Sequence, residues 1–233
     1  MVTGKLGKGL KTLDFETARY WAGHANDQKL KEKIEELIAV LLQDLADPRL
    51  ITDWLQFYRE VFHLELDPAD ITLPSEQDGF GWIVVVAKDL TCNGVFEICR
   101  QRFNGKVWRH CDDLDQAITH NDRQPTQTYA IRVRDRVGAD VEHKDRSANA
   151  TAQQGIKGMT NLERMLLELW YHWKNKDHLD TETLTICSGS RYTGGYVPYV
   201  SWDDDGFSVG GVSPDYADGF WRVREVVSLP ACR

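Results

Sequence analysis

Three consecutive carboxylates and a glycine, Asp203-Asp204-Asp205-Gly206, are the densest set of potential metal ligands in this 233-residue chain. Oxygen-rich loops of this kind hold calcium when ligands fall at fixed positions and a bidentate Glu closes a twelve-residue loop. With Gly206 at the sixth position, the first, third, fifth and twelfth are Ser201, Asp203, Asp205 and Val212. The closing Glu is missing and the first ligand is poor, so the EF-hand is excluded. The expectation is a tight hairpin with an acidic tip, and a weaker oxygen-ligand calcium site there stays open.

The other reactive side chains are scattered. The seven histidines (24, 63, 110, 120, 143, 172 and 178) form no HExxH or HxH pair. His143 lies near Asp140, Glu142 and Asp145, a combination able to bind a metal. It falls in the most polar and least patterned stretch of the chain, where solvated charge is the commoner outcome. Ser188-Gly189-Ser190 lacks the GxSxG frame of a nucleophile elbow. Gly79-Phe80-Gly81 precedes an apolar run instead of following one, the wrong order for a phosphate loop. His110 and Cys111 are neighbours in sequence, which does not make a dyad. No nucleophile, base and oxyanion donor can be named together, so the expectation is a protein without catalytic residues, metal or cofactor.

Composition narrows the partners. The net charge of −8 opposes generic nucleic-acid binding, which needs a basic face to displace counterions, and opposes an anionic membrane surface. Arg132, Arg134 and Arg136 alternate around Asp135 and are expected to form a solvated, mixed polar face. The five cysteines, Cys92, Cys99, Cys111, Cys187 and Cys232, are odd in number and irregular in spacing, with no CxxC, so neither a disulfide framework nor a zinc site is signalled. Cys92 and Cys99 would share a helix face as small buried apolar groups. The first residues lack the apolar run of a signal peptide, and no segment reaches the length of a membrane span. The expectation is a soluble chain without membrane insertion, placed in the cytoplasm by default, with surface exposure left open.

The elements follow from periodicity. Residues 26–45 carry Leu30, Ile34, Leu37, Ile38, Leu41, Leu42 and Leu45 at helical spacing, and a second helix is expected at about 50–62, with Trp54, Leu55, Tyr58 and Phe62 on one side. This pair, within a helical N-terminal arm at residues 1–77, is also suited to homo-oligomerisation. Residues 82–87 form a short apolar run of strand length, expected to be buried on both faces. Asp89 or Thr91 can cap a helix holding Val95, Phe96, Ile98, Cys99 and Phe103, and a short helix is expected at 112–119. Residues 126–137 alternate as a half-buried strand. Thr160-Asn161-Leu162-Glu163 is a capping box opening a helix with Leu162, Met165, Leu166, Leu169, Trp170 and Trp173 at core spacing. Short strands are expected at 184–187, 197–202, 207–209 and 221–227. The fold class is α+β.

The last of these strands lie in a stretch, residues 185–228, whose composition differs from the rest: rich in Tyr, Ser, Asp and Gly, and without Lys, Gln or Met. Tyr offers a large contact area with few rotors, and Ser, Asp and Gly offer adaptable polar contacts, the composition of a recognition surface. Rigid packing residues (Val197, Pro198, Val200, Trp202, Val209, Trp221 and Val223) are interleaved with them. Alternation lets Val197, Val200 and Trp202 face a core while Tyr199 and Ser201 face outward, and Pro198 marks an edge or bulge.

The arrangement SRYxxGxVPxVxWxxDGFxVxxxxPDYADxxWRVRxVVS resembles the C-terminal variable region of target proteins of diversity-generating retroelements. The segments FGWIVVVAKDLT, FEICRQRF, YAIRVRDRV and TNLERMLLELWYHWKNKDHLDTETLTICSGSRY are similar to the same proteins, found as hypothetical proteins in uncultured bacteria of reduced genome. The resemblance spans about residues 80–228 and leaves out the N-terminal helices. It implies a C-type-lectin-like domain at 78–233, with a variable ligand-binding region at about 188–228. Retroelement mutagenesis acts on adenines, so favoured codons reach Asn, Tyr, Ser, Asp, Gly, Phe and Val but not Lys, Glu, Gln, Met or Trp. The positions that this singles out are Thr193, Tyr196, Tyr199, Ser201, Asp203, Asp204, Ser208, Gly210, Gly211, Val212, Ser213, Gly219 and Phe220.

The implied function is non-enzymatic recognition of a protein or other macromolecular ligand, not nucleic acid, with Tyr196, Tyr199 and Phe220 as anchors. One alternative is an enzyme on the same fold, similar to formylglycine-generating sulfatase activators, which needs a reactive cysteine pair late in the chain. Here only Cys187 and Cys232 are available. The other is an assembly module, for which Tyr196, Tyr199 and Phe220 would all be buried.

Overall fold

Helix α1 (Pro48–Phe57) opens the part of the chain that the computed structural model describes, residues 48–229. It runs on as one wider π-type turn, Tyr58–Phe62, which stops at His63 in the left-handed region (φ 54°). The expected helix at 26–45 and Cys232 lie outside the described residues. α1 and its continuation bury Trp54, Phe57, Tyr58 and Val61. The Trp54 ring stacks on Trp170 at a centroid separation of 5.3 Å, and its Nε1 donates to the Ile83 carbonyl at 2.7 Å. The Tyr58 hydroxyl donates to the Val85 carbonyl (2.8 Å) and accepts from the Ala87 amide (3.1 Å).

The two carbonyls belong to strand β1 (Trp82–Val86) and the Ala87 amide directly follows it; β1 is the edge of a three-stranded antiparallel sheet in the order β1-β4-β10, where β4 is Tyr129–Val133 and β10 is Val226–Ser228. An exposed edge presents unpaired backbone groups that invite other chains. Here Trp54 of α1 and Tyr58 of its continuation take two of them, the Ile83 and Val85 carbonyls. The expected boundary at residue 77 is therefore not a boundary of packing: Ile51, Trp54, Phe57, Tyr58 and Val61 share one core with the strands and helices that follow.

Helix α2 (Cys92–Arg102) starts at Thr91, whose hydroxyl accepts from the Gly94 amide at 3.1 Å. Strand β2 (Val107–Arg109) follows, then a single helical turn α3 (Leu114–Ala117) capped by Asp113, then strand β3 (Ile118–Asn121). The helix expected at 112–119 is thus one turn long. Its last residues pair instead with β6 (Ser190–Tyr192), a strand too short to show a period. A short helix α4 (Ala148–Gln153) lies within the stretch that looked irregular. Helix α5 (Asn161–Asn175) carries the expected capping box at Thr160 and Glu163, and residues 161–171 are all buried.

The second large sheet has the order β2-β8-β7-β5-β9, with β5 Leu184–Ile186, β7 Val197–Asp203, β8 Gly206–Val212 and β9 Trp221–Val223. The single strand expected at 221–227 is two, and they lie in different sheets. The chain crosses between them at Arg224, whose side chain is 1% exposed and bonds Asp180, Thr185 and the carbonyls of Arg136 and Val137. Asp180 also takes the Arg164 guanidinium (2.9 Å), and Arg164 reaches Glu168 at 2.9 Å. Burial alone would raise the Asp180 carboxyl, but Arg224 and Arg164 outweigh it and hold it at about 2.

Of the three arginines expected on a solvated face, Arg136 is part-exposed and pairs with Glu142 at 2.7 Å, but Arg132 on β4 and Arg134 just beyond it are enclosed. Arg132 is 6% exposed and donates to the Pro74 carbonyl at 2.8 Å. Arg134 lies over the Phe80 ring and pairs with Asp140 (2.6 Å) and Glu225 (2.9 Å). The physical reason is position. β4 is the central strand, flanked by β1 and β10, so Arg132 on it and Arg134 at its end reach carbonyls and carboxylates within the protein instead of water. The architecture is mixed α and β, and among the described residues no helix is long and apolar enough to cross a membrane.

Candidate functional site

Strands β7 and β8 pair without a register break from Val197↔Val212 to Asp203↔Gly206. Directly opposed residues point to the same side of a sheet and successive residues to opposite sides. One face therefore carries Val200, Trp202, Phe207 and Val209, which join the main core. The other carries Val197, Tyr199, Ser201 and Asp203 with Gly206, Ser208, Gly210 and Val212. Neighbouring strands extend that second face: β2 sets Trp108 beside Ser208, and β5 and β9 set Ile186 beside Tyr199 and Trp221 beside Leu184.

Half of this face is covered. Ala148 of α4 packs on Ile186, Val197, Val212 and Val223 as a second, smaller core. The other half is an open shelf. Trp108 is 51% exposed at one side; Tyr199 and Trp221 pack edge to face at 4.8 Å on the other side, with Tyr216 against Trp221 at 5.1 Å. Part-exposed Ser208 lies between them, paired with buried Ser201.

The thirteen positions singled out from sequence separate by location. Tyr199, Ser201, Asp203, Ser208, Gly210 and Val212 share the sheet face, although Ser201 and Val212 are buried and contribute packing in place of contact. Gly210 is buried too, because the Tyr199 ring lies across it and occupies the space of a Cβ. The two positions are thus one unit, in which Gly210 is the seat of the ring. Asp204 is at the hairpin tip and is exposed. Thr193, Tyr196 and Gly211 line a groove with His110, Cys111, Ala117 and Tyr192, with a volume of about 450 Å³. Tyr196 is 56% exposed there, on a turn closed by the Tyr192 amide donating to the Tyr196 carbonyl at 2.8 Å.

Ser213, Gly219 and Phe220 belong to the loop between β8 and β9. Asn149 of α4 ties that loop down: its amide donates to the Pro214 carbonyl (3.0 Å) and its Nδ2 to Asp215 (2.7 Å). Phe220, 66% exposed, is the most exposed large apolar side chain among the described residues. Trp108 and Trp221 were not among the thirteen. Trp108 lies in a three-residue strand far from the tail, and only its parallel pairing with β8 brings it to the shelf.

The acidic tip is a two-residue turn, with Asp205 N donating to Asp203 Oδ1 at 3.0 Å. Gly206 closes it at φ +112°, and a Cβ there would meet the Lys106 carbonyl and the backbone carbon beside it. Gly206→Ala is expected to cost about 2–3 kcal/mol through backbone strain and clash, read as a fall in the urea midpoint with an unchanged slope.

Of the carboxylates near it in sequence, His143 keeps Asp140 in its cluster, while Glu225 from across the fold stands in place of Glu142 and Asp145. Asp140, His143 and Glu225 bring one ligand atom each within 4.8 Å. The Arg134 guanidinium already bonds both carboxylates, and His143 Nε2 is 3.0 Å from Glu225. A fixed cation thus stands where a metal would draw on those carboxylates, so the group fits an ion-pair cluster better than a metal centre.

The thiols lack the setting of nucleophiles. Burial pushes the Cys92 thiol up to about 12, and burial also raises Cys99, Cys111 and Cys187. The thiolate is the reactive form, and Cys92, Cys99, Cys111 and Cys187 form no disulfide with one another. No protein-family model, curated protein or solved structure matches the chain.

Proposed function

We propose that this protein is a non-enzymatic recognition protein that presents a diversified surface on a C-type-lectin-like scaffold. The observation that carries the reading is the two-sided register of β7 and β8. Val200, Trp202, Phe207 and Val209 are committed to the core, while Tyr199, Asp203 and Ser208 lie on the opposite face, and Tyr196 and Phe220 are exposed outside the two strands. A surface that must vary without unfolding its support needs this separation, because cores resist changes of volume and exposed positions tolerate them.

Several features favour the lectin-like scaffold. The strands nearest the two ends of the described region, β1 and β10, flank β4 in one sheet. Two helices, α2 and α5, pack together beside it, and the tail forms a second sheet. Exposure of Tyr196 and Phe220 argues against an assembly module whose tail only packs. The raised thiols argue against a cysteine enzyme.

The experiment is joint replacement of Thr193, Tyr196, Tyr199, Ser208, Ser213 and Phe220 by other members of the adenine-accessible set. Melting within a few degrees of the parent is expected, with Val200→Ser losing far more. Loss of folding in most such variants would sink the proposal. In the neighbouring DNA, a reverse-transcriptase gene and a near copy of the tail-coding bases differing at adenines is expected.

A further inference from the structure

We infer that the open shelf takes a basic protein surface, with Lys or Arg side chains lying on Trp108 and meeting the carboxylates of the β7–β8 tip. The inference rests on the recognition reading above and adds the chemistry of the partner. Trp108 is half exposed on edge strand β2 and shares its sheet face with Ser208, Ser201 and Asp203. Asp203 is one dipeptide further along β7 than Ser201, about 7 Å at the rise of a strand. Asp203, Asp204 and Asp205 are all exposed at this corner.

Three carboxylates in a row repel one another, and a cation relieves that repulsion. An indole face attracts the same cation through its quadrupole, most strongly for a guanidinium or ammonium within about 6 Å of the ring centre. The aliphatic stem of Lys or Arg also covers aromatic surface while its head stays solvated. Trp221, Tyr199 and Tyr216 give the far side of the shelf a second aromatic ledge. An acidic partner would meet like charge, which costs affinity and slows encounter. A neutral glycan could stack on the indole but would leave the carboxylate row uncompensated.

One cation of the chain itself stands at this corner. Lys106 is exposed and lies beside Gly206, where its carbonyl accepts from the Phe207 amide at 3.0 Å. Its ammonium competes with an incoming basic group, so its removal is expected to strengthen binding.

The test uses the full chain as bait for a random-peptide display library. Parallel baits carry Trp108→Ser, the triple change Asp203→Asn with Asp204→Asn and Asp205→Asn, or Lys106→Ser, each first shown to melt like the parent. The expected result is peptides enriched in Arg and Lys. Their binding should weaken about tenfold or more with Trp108→Ser and with the triple change. It should also weaken between roughly 50 and 500 mM salt and tighten with Lys106→Ser. Peptides that depend on Trp108 but are neutral or acidic would overturn the basic partner and leave the recognition surface standing. Saturable binding of maltohexaose that Trp108→Ser abolishes, without basic enrichment, would do the same. Retained peptides indifferent to Trp108, Tyr199, Tyr196 and Phe220 changes, or no retained peptides, would overturn both readings.

Discussion

Asp180→Asn is expected to destabilise the protein by about 3–5 kcal/mol, the usual cost of breaking a buried ion pair by removing one partner. Asp180 is 1% exposed and is shared by two guanidinium groups, Arg164 and Arg224, which are themselves 0% and 1% exposed. Asparagine keeps the shape and removes the charge, so Arg164 is left with Glu168 as its one carboxylate and Arg224 with only the Thr185 hydroxyl and the Arg136 and Val137 carbonyls. At roughly 2–4 °C per kcal/mol for a domain of this size, the melting temperature should fall by about 6–20 °C. An unchanged melting temperature would show that the cluster contributes no net stability.

The same group sets an acid limb. Its carboxyl is held at about 2 in the folded chain, against about 3.9 for an unperturbed Asp. A depressed carboxyl contributes stability that is fully present above the unfolded value. That contribution is lost as pH falls from about 4 towards 2. The parent should therefore lose stability across this window more steeply than Asp180→Asn, measured by urea midpoints at each pH. Parallel slopes would reject the assignment.

Trp54→Ala is expected to cost about 3–5 kcal/mol, the range for removing a large buried ring. The loss has two parts. The stack on Trp170 disappears, and the Ile83 carbonyl on the edge of β1 loses its indole donor. Trp54→Phe restores most of the volume but not the donor, so it should recover part of the loss and leave about 1 kcal/mol for the missing hydrogen bond. If α1 were an arm outside the core, neither change would move the urea midpoint. That result would restore a packing boundary near residue 77.

Several elements were legible because their signals are local. A capping box is settled within four residues, so Thr160 and Glu163 announced the start of α5. Alternation over six residues announced β7, and three carboxylates before a glycine announced a turn at Asp203–Gly206. Thr91 was one of two candidate caps, and the choice fell to it because its hydroxyl reaches the Gly94 amide, while Asp89 sits at φ 61°.

The misreadings share a cause in distant pairing. Arg132 and Arg134 have the spacing of a solvated face, and nothing near them shows that β10, some ninety residues later, will flank their strand. The 221–227 run looks continuous, yet the pull of Asp180 and Thr185 on Arg224 divides it between two sheets. His143 has acidic neighbours in sequence, while its partner across the fold is Glu225. Trp108 shows no binding signature of its own, and it joins the shelf only through a parallel pairing with residues a hundred positions away.

By itself the sequence determined the periodic elements, the acidic turn and a tail in which rigid and adaptable residues alternate. These depend on neighbours within a turn or a dipeptide, where chain geometry leaves few choices. The tertiary structure alone decided which alternating residues are exposed. Val212, Ser201 and Gly210 have the composition of contact residues, but α4, the neighbouring strands and the Tyr199 ring cover them, whereas Trp108 is left open. Burial depends on which surfaces meet, and that is settled by long-range packing that no short window of sequence contains.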